Sequence, residues 1–195
     1  MDKRTAEVHR KTGETDISMK FCIDGGGKAE ISTGIGFFDH MMDAFTRHGL
    51  FDMQLQADGD LNVDGHHTVE DTGIVLGQAI REAVGDKKGI KRYGFFVLPM
   101  DEALILTAVD ISGRSCLCYG LEIPTEKIGT FDTELVEEFF LAFTRNCPMS
   151  LHIRQLAGKN AHHIVEGAFK SVARSLKAAV ALDGTNDIPS TKGVL

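Results

Sequence analysis

The sequence predicts an α+β fold made by tandem duplication, two pseudo-symmetric halves carried in one chain. Three observations carry that prediction. The phrase HHTVED at 66–71 returns as HHIVEG at 162–167, a spacing of 96 residues from His66 to His162. Each phrase opens a stretch with helical periodicity. Each is also preceded by the same order of segments: three strands, a helix and a strand. A period of this length is too long for a solenoid and points to gene duplication.

The elements follow in order. AEVHRKT, DISMKFCID and KAEIST alternate as strands, with turns at Gly13 and Gly25–Gly27. FFDHMMDAFTRHG has helical spacing, with Phe38, Met41, Met42 and Phe45 as its apolar stripe and Gly49 as its stop. FDMQLQAD is a strand. HHTVEDTGIVLGQAIREAVG is a helix, with Val69, Ile74, Leu76 and Ile80 partly periodic and Gly85 ending it.

The second half repeats the plan. FFVLPM, ALILTAVDI and SCLCYGL are strand-like, and FDTELVEEFFLAFTRNC is a helix with Asp132 or Thr133 as its cap. MSLHIRQLA is a strand, and AHHIVEGAFKSVARSLKAAVAL is a long amphipathic helix. The halves are expected to span 1–90 and 91–182. The tail, 183–195, is loop-like, and such tails order when something binds them.

Composition narrows the function. At 195 residues, 43% hydrophobic and 25% charged, the chain has ordinary globular composition and ample material for a core. No apolar run approaches the roughly 18 residues of a membrane span. The segment MDKRTAEVHRKTGETD mixes both charge signs without an apolar stretch, so a cytoplasmic protein is expected. A net charge of -7 argues against nucleic-acid partners, but not against an anionic small molecule met by locally gathered Arg and Lys. Cys22, Cys116, Cys118 and Cys147 form no CxxC pair and are expected to be reduced thiols.

The histidines carry the chemistry. Positions i and i+4 share a helix face, so His66 can meet Glu70, and His162 can meet Glu166. The second histidine of each pair, His67 or His163, is turned by about 100° and faces elsewhere. One HHxxE therefore offers ligands in two directions. Two of them make two metal sites possible, each drawing on both halves or on two subunits. An isolated HHxxE is more often solvated surface or a cap. Repetition in the same context of matching halves is hard to obtain by chance, so the metal reading leads.

The pseudo-symmetry extends the set. His40 stands 26 residues before His66, and Glu138 stands 24 residues before His162 on the matching helix. Glu138 is therefore expected to play the part of His40. Imidazole and carboxylate donors suit Mn, Fe or Zn, and nothing here is a soft ligand. His48, His152 and His9 are expected in ordinary core, surface or strand roles. GGGK at 25–28 lacks the spacing of a phosphate loop and is explained by a hairpin turn.

HHTVED and HHIVEG, with STGIGFFDHM, PMDEALI, DISGR, LAGKNAHHIVEGAFKSVAR and PSTKGVL, resemble the imidazoleglycerol-phosphate dehydratase family from RKTGET to the C-terminus. The resemblance implies a mixed β-sheet packed with helices in each half, an architecture similar to ribosomal protein S5 domain 2. It implies a metal-dependent hydro-lyase of L-histidine biosynthesis that converts D-erythro-imidazole-glycerol phosphate to imidazole-acetol phosphate and water through a dimetal-bound imidazolate. It also implies two Mn²⁺ per active site, other divalent transition metals being possible. Trimers would assemble into a 24-mer with metal sites between subunits.

Carried over, the family's metal ligands fall on His40, His66, His67, Glu70, His162, His163 and Glu166. The eighth is commonly a histidine in a VEHFF-like segment, where this chain has VEEFF and Glu138. The catalytic set falls on Glu14, His40, His67, Glu70 and Glu166, with Glu14 as proton shuttle. Substrate and phosphate contacts fall on Glu14, Arg92, Arg114, Lys170, Ser190 and Lys192. Lys170 lies eight residues past His162, on roughly the same helical face. Two rivals share the duplicated motif: a dinuclear metallohydrolase, and a particle whose metals only hold subunits together.

Overall fold

Alternation at period two is what builds the first sheet. In a computed structural model that describes residues 2–195, Ile17, Met19 and Phe21 are buried while Ser18 and Lys20 between them face outward. The strands are β1 (Thr5–Lys11), β2 (Thr15–Cys22), β3 (Ala29–Ser32) and, after helix α1 (Gly36–Gly49), β4 (Asp52–Gly59). They lie in the order β1-β2-β4-β3. β1 runs antiparallel to β2 and β2 to β4, with Ile17 opposite Arg10 on one side and Ala57 on the other. β3 is parallel to β4, because α1 carries the chain back between them. Helix α2 (His66–Val84) covers β1 and β2.

The second half comprises β5 (Tyr93–Met100), β6 (Ala103–Asp110), β7 (Cys116–Gly120), the short pair β8 (Lys127–Ile128) and β9 (Phe131–Asp132), α3 (Leu135–Asn146), β10 (Ser150–Ala157) and α4 (Ala161–Val180). Its sheet order, β5-β6-β10-β7, repeats the first sheet strand for strand. The directions repeat too: two antiparallel pairs, then β7 parallel to β10. The expected duplication and mixed sheets are both present.

One boundary differs from the sequence reading. The expected helix from Phe131 begins at Leu135, because Phe131 and Asp132 pair with Lys127 and Ile128 as an added ribbon. Thr133 does not cap the helix. Its hydroxyl donates to the carbonyls of Thr125 and Glu126, 2.7 and 3.1 Å away, and pins the ribbon.

The four helices line the inner faces of the two sheets, and they pack across the halves: α1 on α4, and α2 on α3. A close approach of α2 to α3 needs Gly73 and Gly77. A Cβ there would stand 2.7 Å from the Phe139 carbonyl and 2.6 Å from that of Phe143. Aromatic rings fill the centre. Phe139 of α3 meets Phe38 of α1 at 5.5 Å and Phe169 of α4 at 5.1 Å between centroids. One continuous apolar core therefore serves both halves, and it fixes the helix ends that carry the histidines. No helix among the described residues is long and apolar enough to cross a membrane.

Candidate active site

Four helix starts and two hairpin turns position the site residues. The N-terminus of α4 is capped by Asn160, whose side chain accepts from the backbone N–H groups of His162 and His163. α2 lacks such a cap at Gly65, but Asp64 Oδ1 accepts from His66 N at 2.8 Å. Both motifs thus begin on their helices as expected.

Docking of α1 on α4 assembles the tightest cluster. Glu166 Oε2 lies 2.8 Å from His162 Nε2 and 3.3 Å from His40 Nε2, while its Oε1 accepts from Lys170 Nζ at 2.6 Å. Glu166 is buried at 6% exposure. Burial drives its carboxyl pKa up, but Lys170 and the two imidazoles outweigh burial and hold it below the ordinary value. Among the described residues, His40, His162 and Glu166 are the one group of three donors converging within 4.8 Å. That span is close to a first coordination sphere with bonds of about 2.0–2.2 Å. Nitrogen and carboxylate donors with no thiolate fit Mn, Fe or Zn.

The corresponding place on α2 is looser. His66 Nε2 stands 3.9 Å from Glu70 Oε2, and both side chains are about 40% exposed. Glu138, half-buried on α3, joins no converging group of three. The second histidines face away from the first, as the helical turn requires. His67 Nδ1 lies 3.0 Å from Asp60 Oδ2, and its Nε2 lies 3.7 Å from Glu14 Oε2. His163 Nδ1 lies 2.7 Å from Glu102 Oε2, and its Nε2 lies 3.5 Å from Asp101 Oδ2. Hydrogen bonds to Asp60 and Glu102 raise the pKa of His67 and His163. Glu102 is pushed down to about 2, first by His163 and then by the amides of Asn160 and Lys159.

Asp60 and Glu102 were not singled out by spacing. Neither lies within a helical turn of its histidine; Asp60 follows β4, and Glu102 closes the β5–β6 turn. The signal available was chemical: a ligating histidine usually gives its other ring N–H to a carboxylate. Asp71 of HHTVED, where the second motif has Gly167, also has a separate task. It accepts from Thr15 Oγ1 at 2.5 Å and pairs with Arg10 at 3.0 Å, anchoring the turn that bears Glu14. Glu14 itself is exposed.

The phosphate candidates divide. Lys170 belongs to the Glu166 cluster. Arg92, at φ 70°, pairs with Asp110 through Nε at 2.7 Å and donates from a terminal nitrogen to the Pro189 carbonyl at 2.9 Å. It therefore lies under the tail beside Ser190, whose hydroxyl accepts from Lys192 N at 3.2 Å. Arg114 and Lys192 are exposed. Arg92 N also donates to Ala179 O at 2.8 Å, near the far end of α4. From residue 166 to residue 179, at 1.5 Å per residue, is roughly 20 Å along the helix. One chain does not bring these two groups together. The remaining histidines take other places: His9 bonds Asp16 across β1 and β2, His152 is exposed on β10, and burial lowers the pKa of His48.

Comparison with known proteins adds the following. A family model described as imidazoleglycerol-phosphate dehydratase matches residues 33–176. The imidazoleglycerol-phosphate dehydratase of Desulforamulus reducens is 56% identical over 196 residues, covering 100% of both chains. That of Dinoroseobacter shibae is 58% identical over 98% of this chain and 100% of its own. Among solved structures, the enzyme of that name from Staphylococcus aureus superposes with a TM-score of 0.83 at 40% identity, covering 91% of this chain and 99% of the other. The one from Pyrococcus furiosus gives 0.84 at 40% identity, covering 96% and 100%.

Proposed function

We propose, for a chain that belongs to the imidazoleglycerol-phosphate dehydratase family, that its dehydration of imidazoleglycerol phosphate depends on two Mn²⁺ ions, one held by His40, His162 and Glu166. Membership makes the chain a carbon–oxygen hydro-lyase of histidine biosynthesis. The metal dependence rests on one observation: two imidazoles and a buried carboxylate from different halves converge on one point.

The reaction removes a hydroxyl beside the imidazole ring and a proton from the neighbouring carbon. The resulting enol tautomerises to the ketone, imidazole-acetol phosphate, and water leaves. That C–H is not next to a carbonyl, so base alone would be slow. Divalent ions held by these residues would supply Lewis acidity to the imidazole ring and so ease loss of the adjacent hydroxyl. The second ion would draw on His66 with Glu70 from one subunit and on His67 or His163, which point elsewhere, from another; Glu138 is the expected counterpart of His40. Glu14, exposed beside His67 Nε2, moves the proton.

Lys170 supplies a point charge near the ring site, and Arg92, Arg114, Ser190 and Lys192 take the phosphate. The roughly 20 Å between Glu166 and the Arg92 end of α4 exceeds the length of one small phosphate ester. This separation supports sites completed by a second subunit, and hence a homo-oligomer; trimers building a cytoplasmic 24-mer complete the reading.

The test is turnover by chelator-stripped protein before and after Mn²⁺, followed as ketone formation. Activity that returns with metal supports the reading. Metal uptake and assembly without ketone would replace it with the structural particle, and hydrolysis of phosphate esters instead would favour the metallohydrolase.

A further inference from the structure

We propose that Asp60 and Glu102 are positioning residues that fix the second histidine of each motif in the tautomer presenting Nε2 to a metal. The inference rests on the metal reading above. An ionised carboxylate only accepts hydrogen bonds, so the ring nitrogen facing it must carry the proton. In both halves that nitrogen is Nδ1: His67 Nδ1 lies 3.1 and 3.0 Å from the two Asp60 oxygens, and His163 Nδ1 lies 2.7 Å from Glu102 Oε2. The lone pair of the neutral ring is then on Nε2. The first histidines differ: Nε2 of His66 and His162 faces the carboxylate of its own motif, the group that would share an ion with it.

The two carboxylates do not occupy equivalent places. Asp60 is the residue that follows β4, where the second half has Gly158 after β10. Glu102 immediately precedes β6, where the first half has Glu14 before β2. Duplication alone would have copied one position into both halves. The same ring nitrogen is instead met from two different directions, which ties the contact to the ring rather than to inherited chain geometry.

Glu102 also bonds backbone. Its Oε1 accepts from Lys159 N at 3.0 Å and Asn160 N at 2.7 Å, steadying the residue that caps α4. Glu102→Gln separates the two tasks. The amide oxygen can keep the backbone bonds, while its NH₂ meets Nδ1 as a donor and moves the ring proton to Nε2.

The experiment uses full-length, chelator-stripped protein, titrated with Mn²⁺ while free ion is read by electron paramagnetic resonance. Glu102→Gln and Asp60→Asn are compared with wild type, alongside ¹⁵N spectra of histidine-labelled metal-free protein. We expect about 10–100-fold weaker Mn²⁺ binding at the affected site, an unchanged melting temperature, and a shift of one histidine to the Nε2–H tautomer. The loss should vanish when Glu102→Gln is made in a His163→Ala background. Unchanged tautomer spectra, or an equal loss without His163, would overturn the inference. Wild-type protein that takes up no Mn²⁺ would sink the functional reading, and the metal-free spectra would still decide the tautomer.

Discussion

His40 Nε2 lies 3.3 Å from Glu166 Oε2, although the two residues sit on helices of different halves. The pair exists only because α1 docks on α4. A change at Glu166 should therefore act on metal before it acts on fold. Glu166→Gln keeps the size of the side chain and removes the charge. Mn²⁺ affinity is expected to fall at least about 100-fold, beyond the effect of losing an outer partner, with turnover falling in step. Metal titration beside a turnover assay checks this; a variant that binds Mn²⁺ like wild type would contradict it.

Glu14 stands in an exposed turn, 3.7 Å from His67 Nε2, and Asp71 holds its neighbour Thr15. Glu14→Gln should leave Mn²⁺ stoichiometry intact and lower kcat by about 10²–10⁴-fold with little change in KM. Steady-state kinetics decide the matter. A change confined to KM would make Glu14 a binding group.

Glu138, the expected counterpart of His40, is half-buried on α3. Glu138→His should retain activity, within a few-fold of wild type, because either side chain offers one donor of similar reach. Loss of one Mn²⁺ per site in that variant would refute its equivalence to His40.

Asp24 gives a pH prediction remote from the histidines. Its carboxylate accepts from Arg4 N, Nε and a terminal nitrogen at 3.1, 2.9 and 2.7 Å. Arg4 in turn donates to Val180 O at 2.9 Å, tying the first strand to the end of α4. The hydrogen bonds from Arg4 hold Asp24 below its ordinary 3.8 despite partial burial. A depressed pKa contributes stability above the unfolded value, and that contribution is lost as pH falls through the folded value. With the Asp24 side chain 34% exposed, Asp24→Asn should cost about 1 kcal/mol at pH 7, after allowance for screening. Urea unfolding should show the gap closing below pH 3.8.

The legible part of this protein was its periodicity. Ile17, Met19 and Phe21 announced a half-buried strand, and the i,i+4 spacing of His162 and Glu166 announced a shared face. Glu138 was singled out only through the repeat, as the expected counterpart of His40 on the matching helix. Asp60 and Glu102 were not, because their contacts are made through a turn and across the fold, where no period reaches. The late start of α3 was hidden as well. Phe131 and Asp132 suit a helix start, and only the partner strand at Lys127–Ile128 draws them into a ribbon.

The crossing of helices has a consequence for descent. Because α1 rests on α4 and α2 on α3, each copy of the β-β-β-α-β-α unit leaves the outward faces of its helices bare without the other. An ancestral chain with a single copy would have been stable only as a pair of identical chains, each covering its twin. Such a pair must place the same donor at both symmetric positions. Fusion lifted that constraint, so matching places on α1 and α3 are free to carry different residues, as at His40 and Glu138.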